Sequence, residues 1–359
     1  SPDGRYMLTA NEGKPSDDYS VDPEGNCTLI DLANGPASAL VTQISLDAFS
    51  APAGSRIVKP GSSFAADAEP EYVAFAPDGK LAYFILQENN AVAVIDIASA
   101  SVAAVSGLGT KNVSRTSHDM SNKDSGINMK RWPVLMMYQP DAIAAYEAKG
   151  ATYLVTANEG EVKDYEGVSE ETRVGKLQLD KTMFPNSDVL QLPENLGRLK
   201  TTTTAGDTDG MGDHDLIFAY GGRSLSIWAE DGTLIFDSGN AFENVISRRS
   251  PQLFNANGSM EKEDDRSDDK GPEPEALALG EIDGRTYAFI GMERNNTIFA
   301  YDITLPSDPH MVGYMMPSSA HNSPEGLEFI SSADSPTGKP LLAIAYKMTG
   351  TVAVYEISH

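Results

Sequence analysis

The feature that most constrains this chain is a phrase it repeats. Glu69-Pro70-Glu71-Tyr72-Val73-Ala74-Phe75 returns as Glu273-Pro274-Glu275-Ala276-Leu277-Ala278-Leu279. After the first come a turn at Pro77-Asp78-Gly79, an apolar run from Leu81 to Leu86, the tip Gln87-Glu88-Asn89-Asn90 and a second run from Ala91 to Ile97. After the second come Asp283-Gly284, Thr286 to Met292, Glu293-Arg294-Asn295-Asn296 and Thr297 to Ile303. Further copies begin at Gln139-Pro140-Asp141 and Ser323-Pro324-Glu325. A fifth lacks its first strand: Ser1-Pro2-Asp3-Gly4 corresponds to Ala76-Pro77-Asp78-Gly79, and Thr9-Ala10-Asn11-Glu12-Gly13 recurs letter for letter as Thr156-Ala157-Asn158-Glu159-Gly160. A sixth, divergent copy is read from Asp207 to Ser238, with strands expected at Asp215 to Tyr220, Ser224 to Trp228 and Thr233 to Phe236.

Short runs joined by Asp-Gly and Asn-Asn turns, apolar on both faces, suit small sheets sandwiched between neighbours. The expected fold is therefore all-β: a single β-propeller domain over residues 1–359, of six to eight four-stranded blades. Seven blades are expected for the complete protein, with the N-terminal blade incomplete in this chain. Solenoid and sandwich folds are the alternatives, but helical periodicity is nearly absent. Two excursions, Ser106 to Tyr138 and Tyr165 to Lys200, exceed ordinary loop lengths and are expected to fold over one face.

In a propeller the first strand of each blade lines the channel, so the loop entering it and the hairpin between the second and third strands share one face. The entering loops carry Glu69 and Glu71, Asp141, Glu273 and Glu275, and Glu325; the hairpins carry Glu12, Glu88, Glu159 and Glu293. Both sets should converge on one mouth of the channel. Crowded carboxylates raise one another's pKa unless a cation neutralises them, and hard oxygen donors suit Ca²⁺, with Mg²⁺ as the alternative. The plainer reading is an acidic protein with acidic loops; repetition at equivalent positions argues against it.

A second metal pattern is Asp207-Thr208-Asp209-Gly210-Met211-Gly212-Asp213-His214-Asp215, where alternate carboxylates can face one ion around a glycine turn. Here Met211 stands where a third carboxylate is expected, and a plain acidic turn is the competing reading. In the run from Glu261 to Glu275, the stretch Glu261 to Asp265 reads as a solvated loop, whereas Asp268-Asp269-Lys270-Gly271 leads into a channel strand.

Fifty-two Asp and Glu against 27 Lys and Arg give a net charge of −25, a field that repels nucleic acid and anionic membrane and attracts cations. No stretch approaches the ~20 apolar residues of a membrane helix. Cys27 is the only cysteine, which excludes an intramolecular disulfide and a cysteine-based metal site. Serine-hydrolase elbows, zinc-protease helices, Walker loops and dinucleotide fingerprints are absent. The histidines, His118, His214, His310, His321 and His359, are scattered, and only His321 falls near the expected mouth. Lys270, Arg294 and Arg131 are basic candidates for complementing a phosphate beside metal ions, although basic residues among acids commonly form ion pairs.

The motifs T-A-N-E-G, E-P-E-Y-V-A, D-S-G-I-N, W-P-V, Y-Q-P-D-A-I-A, N-L-G-R-L, G-D-T-D-G and S-D-D-K-G-P-E-P-E resemble the choice-of-anchor I family over essentially the whole chain. That resemblance implies export, to the periplasm, the cell surface or the extracellular space, and calcium dependence at an acidic mouth. The family includes exported bacterial proteins described as atypical alkaline phosphatases and mesenchyme-specific cell-surface glycoproteins of animals. Two departures remove carboxylates: Met211 in the calcium-like loop, and Met348 where Glu12 and Glu159 stand in other copies. Two functions follow as expectations. One is a calcium-dependent phosphomonoesterase with Glu273, Glu275, Lys270, Arg294 and Arg131 around the reacting phosphoester. The other is a non-catalytic surface module binding calcium, mineral or an extracellular partner. A sugar-binding or lyase propeller lacks its aromatic platform, since the chain has only two tryptophans.

Overall fold

The computed structural model describes residues 1–358, so His359 lies outside the described residues. Five of the six copies become antiparallel meander sheets. The second sheet is Pro70–Phe75, Leu81–Leu86, Ala91–Asp96 and Ser101–Gly107, and the fourth is Pro274–Ile282, Arg285–Met292, Thr297–Asp302 and His310–Met315. The first, Tyr6–Asn11, Asn26–Asp31 and Leu40–Ser45, has no strand in the innermost place; the fifth, Pro324–Ile330, Leu341–Tyr346 and Thr351–Glu356, has three strands. First strands of the second to fifth sheets lie side by side in chain order, and Tyr6–Asn11 flanks Pro70–Phe75, so the sheets fan out as successive propeller blades do.

The third sheet corrects the sequence reading. Its strands are Ala142–Ala148, Ala151–Asn158, Ser224–Ala229 and Leu234–Asp237. Ser224–Ala229 pairs with Ala151–Asn158, Asn158 opposite Ser224, so the expected sixth copy supplies the outer half of the third blade. Its remaining strand, Phe218–Ala219, pairs in parallel with Leu135–Met137 in a small separate sheet. The connection that is a four-residue tip in the second blade is here opened by residues 159–223. Five blade-type sheets are thus present among the described residues, fewer than six to eight.

Blade cores form where adjacent sheets meet. Val155, Leu225 and Ile227 of the third sheet pack with Leu277, Ile290 and Phe299 of the fourth. The Thr-Ala-Asn-Glu-Gly repeats fold identically: Thr156 Oγ1 donates to Asn158 Oδ1 at 2.8 Å and Asn158 Nδ2 donates to Ser226 Oγ at 2.7 Å, as Thr9 donates to Asn11 at 2.9 Å and Asn11 to Thr28 Oγ1 at 2.7 Å. The two long excursions share a core of their own, in which Met120, Trp132 and Val134 of one meet Val174, Phe184 and Leu196 of the other. No helix among the described residues is long and apolar enough to cross a membrane.

Candidate functional site

The first strands do not run straight into the sheet. Pro274 pairs with Met292 and Ala276 with Gly291, which leaves Glu275 as an extra residue; Pro324 with Tyr346 and Gly326 with Ala345 leave Glu325 likewise, and Glu71 falls in the corresponding irregularity between Pro70 and Val73. A β-bulge re-aims the side chain it carries. The repeated Pro-Glu therefore turns a carboxylate out of the alternation at the same place in three blades, while Asp141 holds the equivalent position just ahead of Ala142–Ala148.

The hairpin carboxylates meet them. In the tips, Asn90 and Asn296 take φ of 55° and 51°, a left-handed conformation that asparagine tolerates and that turns the chain back sharply. Carboxylate oxygens of Glu159, Glu275 and Glu293, from the third and fourth blades, all lie within 4.8 Å of one another, and all three residues are buried. Glu69 and Glu88 are buried beside them, Glu12 and Asp141 are half-buried, and Glu71 and Glu325 are exposed.

Four cations thread this cluster. Lys270 Nζ lies 2.7 Å from Glu159, 3.2 Å from Glu161 and 3.6 Å from Glu273. Arg294 Nε is 3.1 Å from both Glu273 and Glu293, Arg266 pairs with Glu273, and Lys163 Nζ is 2.5 Å from Glu69. Burial alone would raise the Glu273 carboxyl, but Lys270, Arg266 and Arg294 hold it down at about 2. Glu275 is the opposite case. Burial, then the charges of Glu159, Glu293, Asp141 and Glu325, push it up to about 11, and its Oε2 is buried without a hydrogen-bond donor. Burial and neighbouring carboxylates also raise Asp141 to about 6, against the pull of Lys270. Protein atoms crowding one side of Glu71, with Asp141, Glu12 and Glu161, raise it to about 7. Burial raises Glu88 and Glu159 well above the ordinary carboxylate range.

The structure thus brings together Glu69, Glu71, Glu88, Asp141, Glu159, Lys270, Glu273, Glu275, Glu293, Arg294 and Glu325, with Glu12 at the edge, 3.7 Å from Lys14. It leaves out Arg131, which is exposed and makes no ion pair or hydrogen bond among the described residues. Glu273, expected to act on substrate, is held by three cations. Asp207, Asp209 and Asp215 also bring oxygens within 4.8 Å of one another in an exposed loop, where Asp207 accepts from the amides of Gly210 at 2.7 Å and Gly212 at 2.9 Å. Asp213 is not in that group, and Met211 is 80% exposed. Glu261 and Glu263 are exposed as a solvated loop requires, but Asp264 is buried.

Sequence reasoning missed Lys163, Glu161, Arg266 and Gln87, whose Nε2 donates to Glu159 Oε2 at 3.2 Å. Lys163 and Glu161 follow the repeated Thr-Ala-Asn-Glu-Gly directly, and that adjacency was the available signal.

Comparison with known proteins adds a family and two relatives. The family model of the choice-of-anchor I domain matches residues 1–306. Gigasin-3a of Magallana gigas is 33% identical over 45% of this chain and 64% of its own length. The mesenchyme-specific cell surface glycoprotein of Strongylocentrotus purpuratus is 29% identical over 76% of this chain and 42% of its own, so the chain spans less than two thirds of either. Among solved structures, the Pseudomonas aeruginosa periplasmic gluconolactonase aligns with 100% of this chain and 80% of its own at 14% identity and a TM-score of 0.40. The Cps50 (Swd1) β-propeller domain of Myceliophteria thermophila aligns with 94% and 65% at 7% identity and 0.39.

Proposed function

Since the chain belongs to the choice-of-anchor I family, we propose that it is the propeller module of an extracellular or cell-surface protein whose acidic mouth binds a divalent cation. The ligands are Glu159, Glu275 and Glu293, and Ca²⁺ is preferred over Mg²⁺ because flexible carboxylates suit its larger, less demanding shell. The observation that carries this reading is Glu275: a buried carboxyl with an oxygen lacking any donor, facing two further carboxylates. A buried acceptor of this kind is costly unless something satisfies it, and a hard cation does so for all three groups at once. The cell-surface glycoprotein relative supports the location. The proposed propeller is a ring of seven blades; Met7 and Val41 of the first sheet and Val352 and Val354 of the fifth are exposed, which supports further sheets packing at both ends of the arc. The Asp207, Asp209 and Asp215 loop is a second, exposed position for the same ion.

Phosphoester hydrolysis is the second reading, favoured by Lys270 and Arg294 beside the triad. When bound, the ion would supply Lewis-acid charge for a phosphoryl oxygen. Binding without catalysis is preferred because both cations already carry Glu273. Calorimetric calcium titration alongside p-nitrophenyl phosphate hydrolysis separates the two: calcium uptake with no turnover supports the module, calcium-dependent turnover at alkaline pH supports the phosphatase, and neither refutes both.

A further inference from the structure

The hairpin of the fifth blade breaks the pattern of charge at the mouth. Its register places Lys347, not Met348, where other copies carry glutamate. Tyr346 pairs with Pro324 as Met292 pairs with Pro274, so Lys347 follows its strand as Glu293 does, and Lys347 N donates to Ser323 O at 2.8 Å as Glu293 N donates to Glu273 O at 2.9 Å. Glu12 and Glu159 hold the same place, directly after Asn11 and Asn158. The fifth blade thus presents an ammonium where the first, third and fourth present a carboxylate.

This lysine is held beside the proposed ligands. The buried Ser323 accepts from Lys347 N through its carbonyl and donates through its hydroxyl to Glu293 Oε1 at 3.1 Å. Pro324 packs against Gly291 of the fourth blade, where a Cβ would come within 3.2 Å of the proline's own. His321 stacks on Tyr346 with ring centres 5.0 Å apart, and its Nδ1 lies 3.0 Å from Thr351 Oγ1, which braces both strands of the hairpin.

The other cations of the mouth are committed: Lys163, Lys270, Arg266 and Arg294 each hold a buried glutamate. Lys347 is 54% exposed and pairs at 2.9 Å with the exposed Glu325, a surface contact that contributes little. The Glu325 hydrogen bond, and then the charges of Glu275 and Glu293, raise its ammonium above the usual lysine range. Three carboxylates around one divalent ion leave excess negative charge, and Ca²⁺ takes about six to eight oxygens, more than three singly bound carboxylates supply. An oxyanion filling the open positions needs a further cation to offset it, and Lys347 is free to turn toward it.

We propose that Lys347 and a cation on Glu159, Glu275 and Glu293 together hold an oxyanion of the bound ligand, a phosphate or a carboxylate, so that Lys347 sets the mouth's preference for anionic ligands. The inference rests on the cation site proposed above and adds the group that completes the ion's shell.

The test titrates calcium into the full chain by calorimetry in chloride buffer, then with inorganic phosphate kept below its precipitation limit with calcium, then with acetate, all at matched ionic strength. One of the two anions should tighten calcium binding at least about fivefold, the low end of ordinary coupling between two ligands. Enhancement by phosphate assigns a phosphate ligand, and enhancement by acetate a carboxylate. Lys347→Met should abolish the enhancement yet take up calcium alone no more weakly than wild type, because the charge removed is positive. Lys347→Glu, which restores the residue of the other copies, should bind calcium alone more tightly and show no anion effect. Both changes fall on an exposed tip, so both variants should fold. Absence of calcium uptake in every buffer would remove the mouth reading and this proposal with it. Calcium uptake indifferent to both anions, or enhancement that survives Lys347→Met, overturns this proposal and leaves the cation site standing.

Discussion

Lys270 Nζ lies 2.7 Å from Glu159 Oε1, although 111 residues separate them. The pair joins the segment entering the fourth blade to the hairpin of the third, and it is buried on both sides, with side chains 10% and 9% exposed. Lys270 is also one of the three cations that offset Glu273, so one ammonium stabilises both a structural carboxylate and a proposed metal ligand.

Lys270→Met should therefore destabilise the protein by about 3–5 kcal/mol, because breaking a buried pair strands the surviving charges. Urea unfolding in EDTA measures the loss. Added calcium should recover part of it, since the ion takes over compensation of Glu159. An effect below about 1 kcal/mol would be that of a surface pair and would contradict the burial argument.

Stability should depend on pH in both directions. Asp141 at about 6, Glu71 at about 7 and Glu275 at about 11 all lie above their ordinary values of 3.8, 4.5 and 4.5. Their folded forms hold protons more tightly, so the stability they permit is complete below those ordinary values and is lost as pH rises through the folded ones. Glu273, and Glu243 in the helix Ala241–Arg249, which His118 at 2.6 Å and Arg223 at 2.8 Å hold down against its burial, both sit at about 2 and behave oppositely: their support is present above 4.5 and lost as pH falls toward 2. In EDTA the melting temperature should fall between pH 5 and pH 8, and calcium should lift the alkaline side. An EDTA profile flat over that interval would contradict the crowding of these carboxyls.

The repeated asparagines offer an internal comparison. Asn158 is wholly buried, whereas Asn11 makes the matching hydrogen bonds half-buried. Asn158→Ala should cost about 2–3 kcal/mol by leaving the buried Thr156 hydroxyl without its acceptor and removing the donor to Ser224 and Ser226, and Asn11→Ala about 1 kcal/mol. Equal losses in denaturant melts would show that burial is not what distinguishes the two copies.

The Thr-Ala-Asn-Glu-Gly and Glu-Pro-Glu repeats made the sheets and the converging carboxylates legible, because identical local sequences close identical turns and hydrogen bonds. The partner of Ser224–Ala229 was not legible: pairing across residues 159–223 is decided by packing against Val155 and Ala157, not by anything local. The bulges at Glu275 and Glu325 were hidden for a related reason, since strand register is a property of two segments. Lys163 and Arg266 escaped notice because a charged residue in a loop reads as solvated until the fold buries it.

Calcium titration of the wild-type chain and of Glu275→Gln by calorimetry tests the central claim most directly. The amide keeps the shape of the side chain and removes the carboxylate that faces Glu159 and Glu293. Wild type should bind calcium at the mouth, and Glu275→Gln should lose that one site while folding as well as wild type or better in EDTA. Identical isotherms for the two proteins would contradict a metal centre at the mouth.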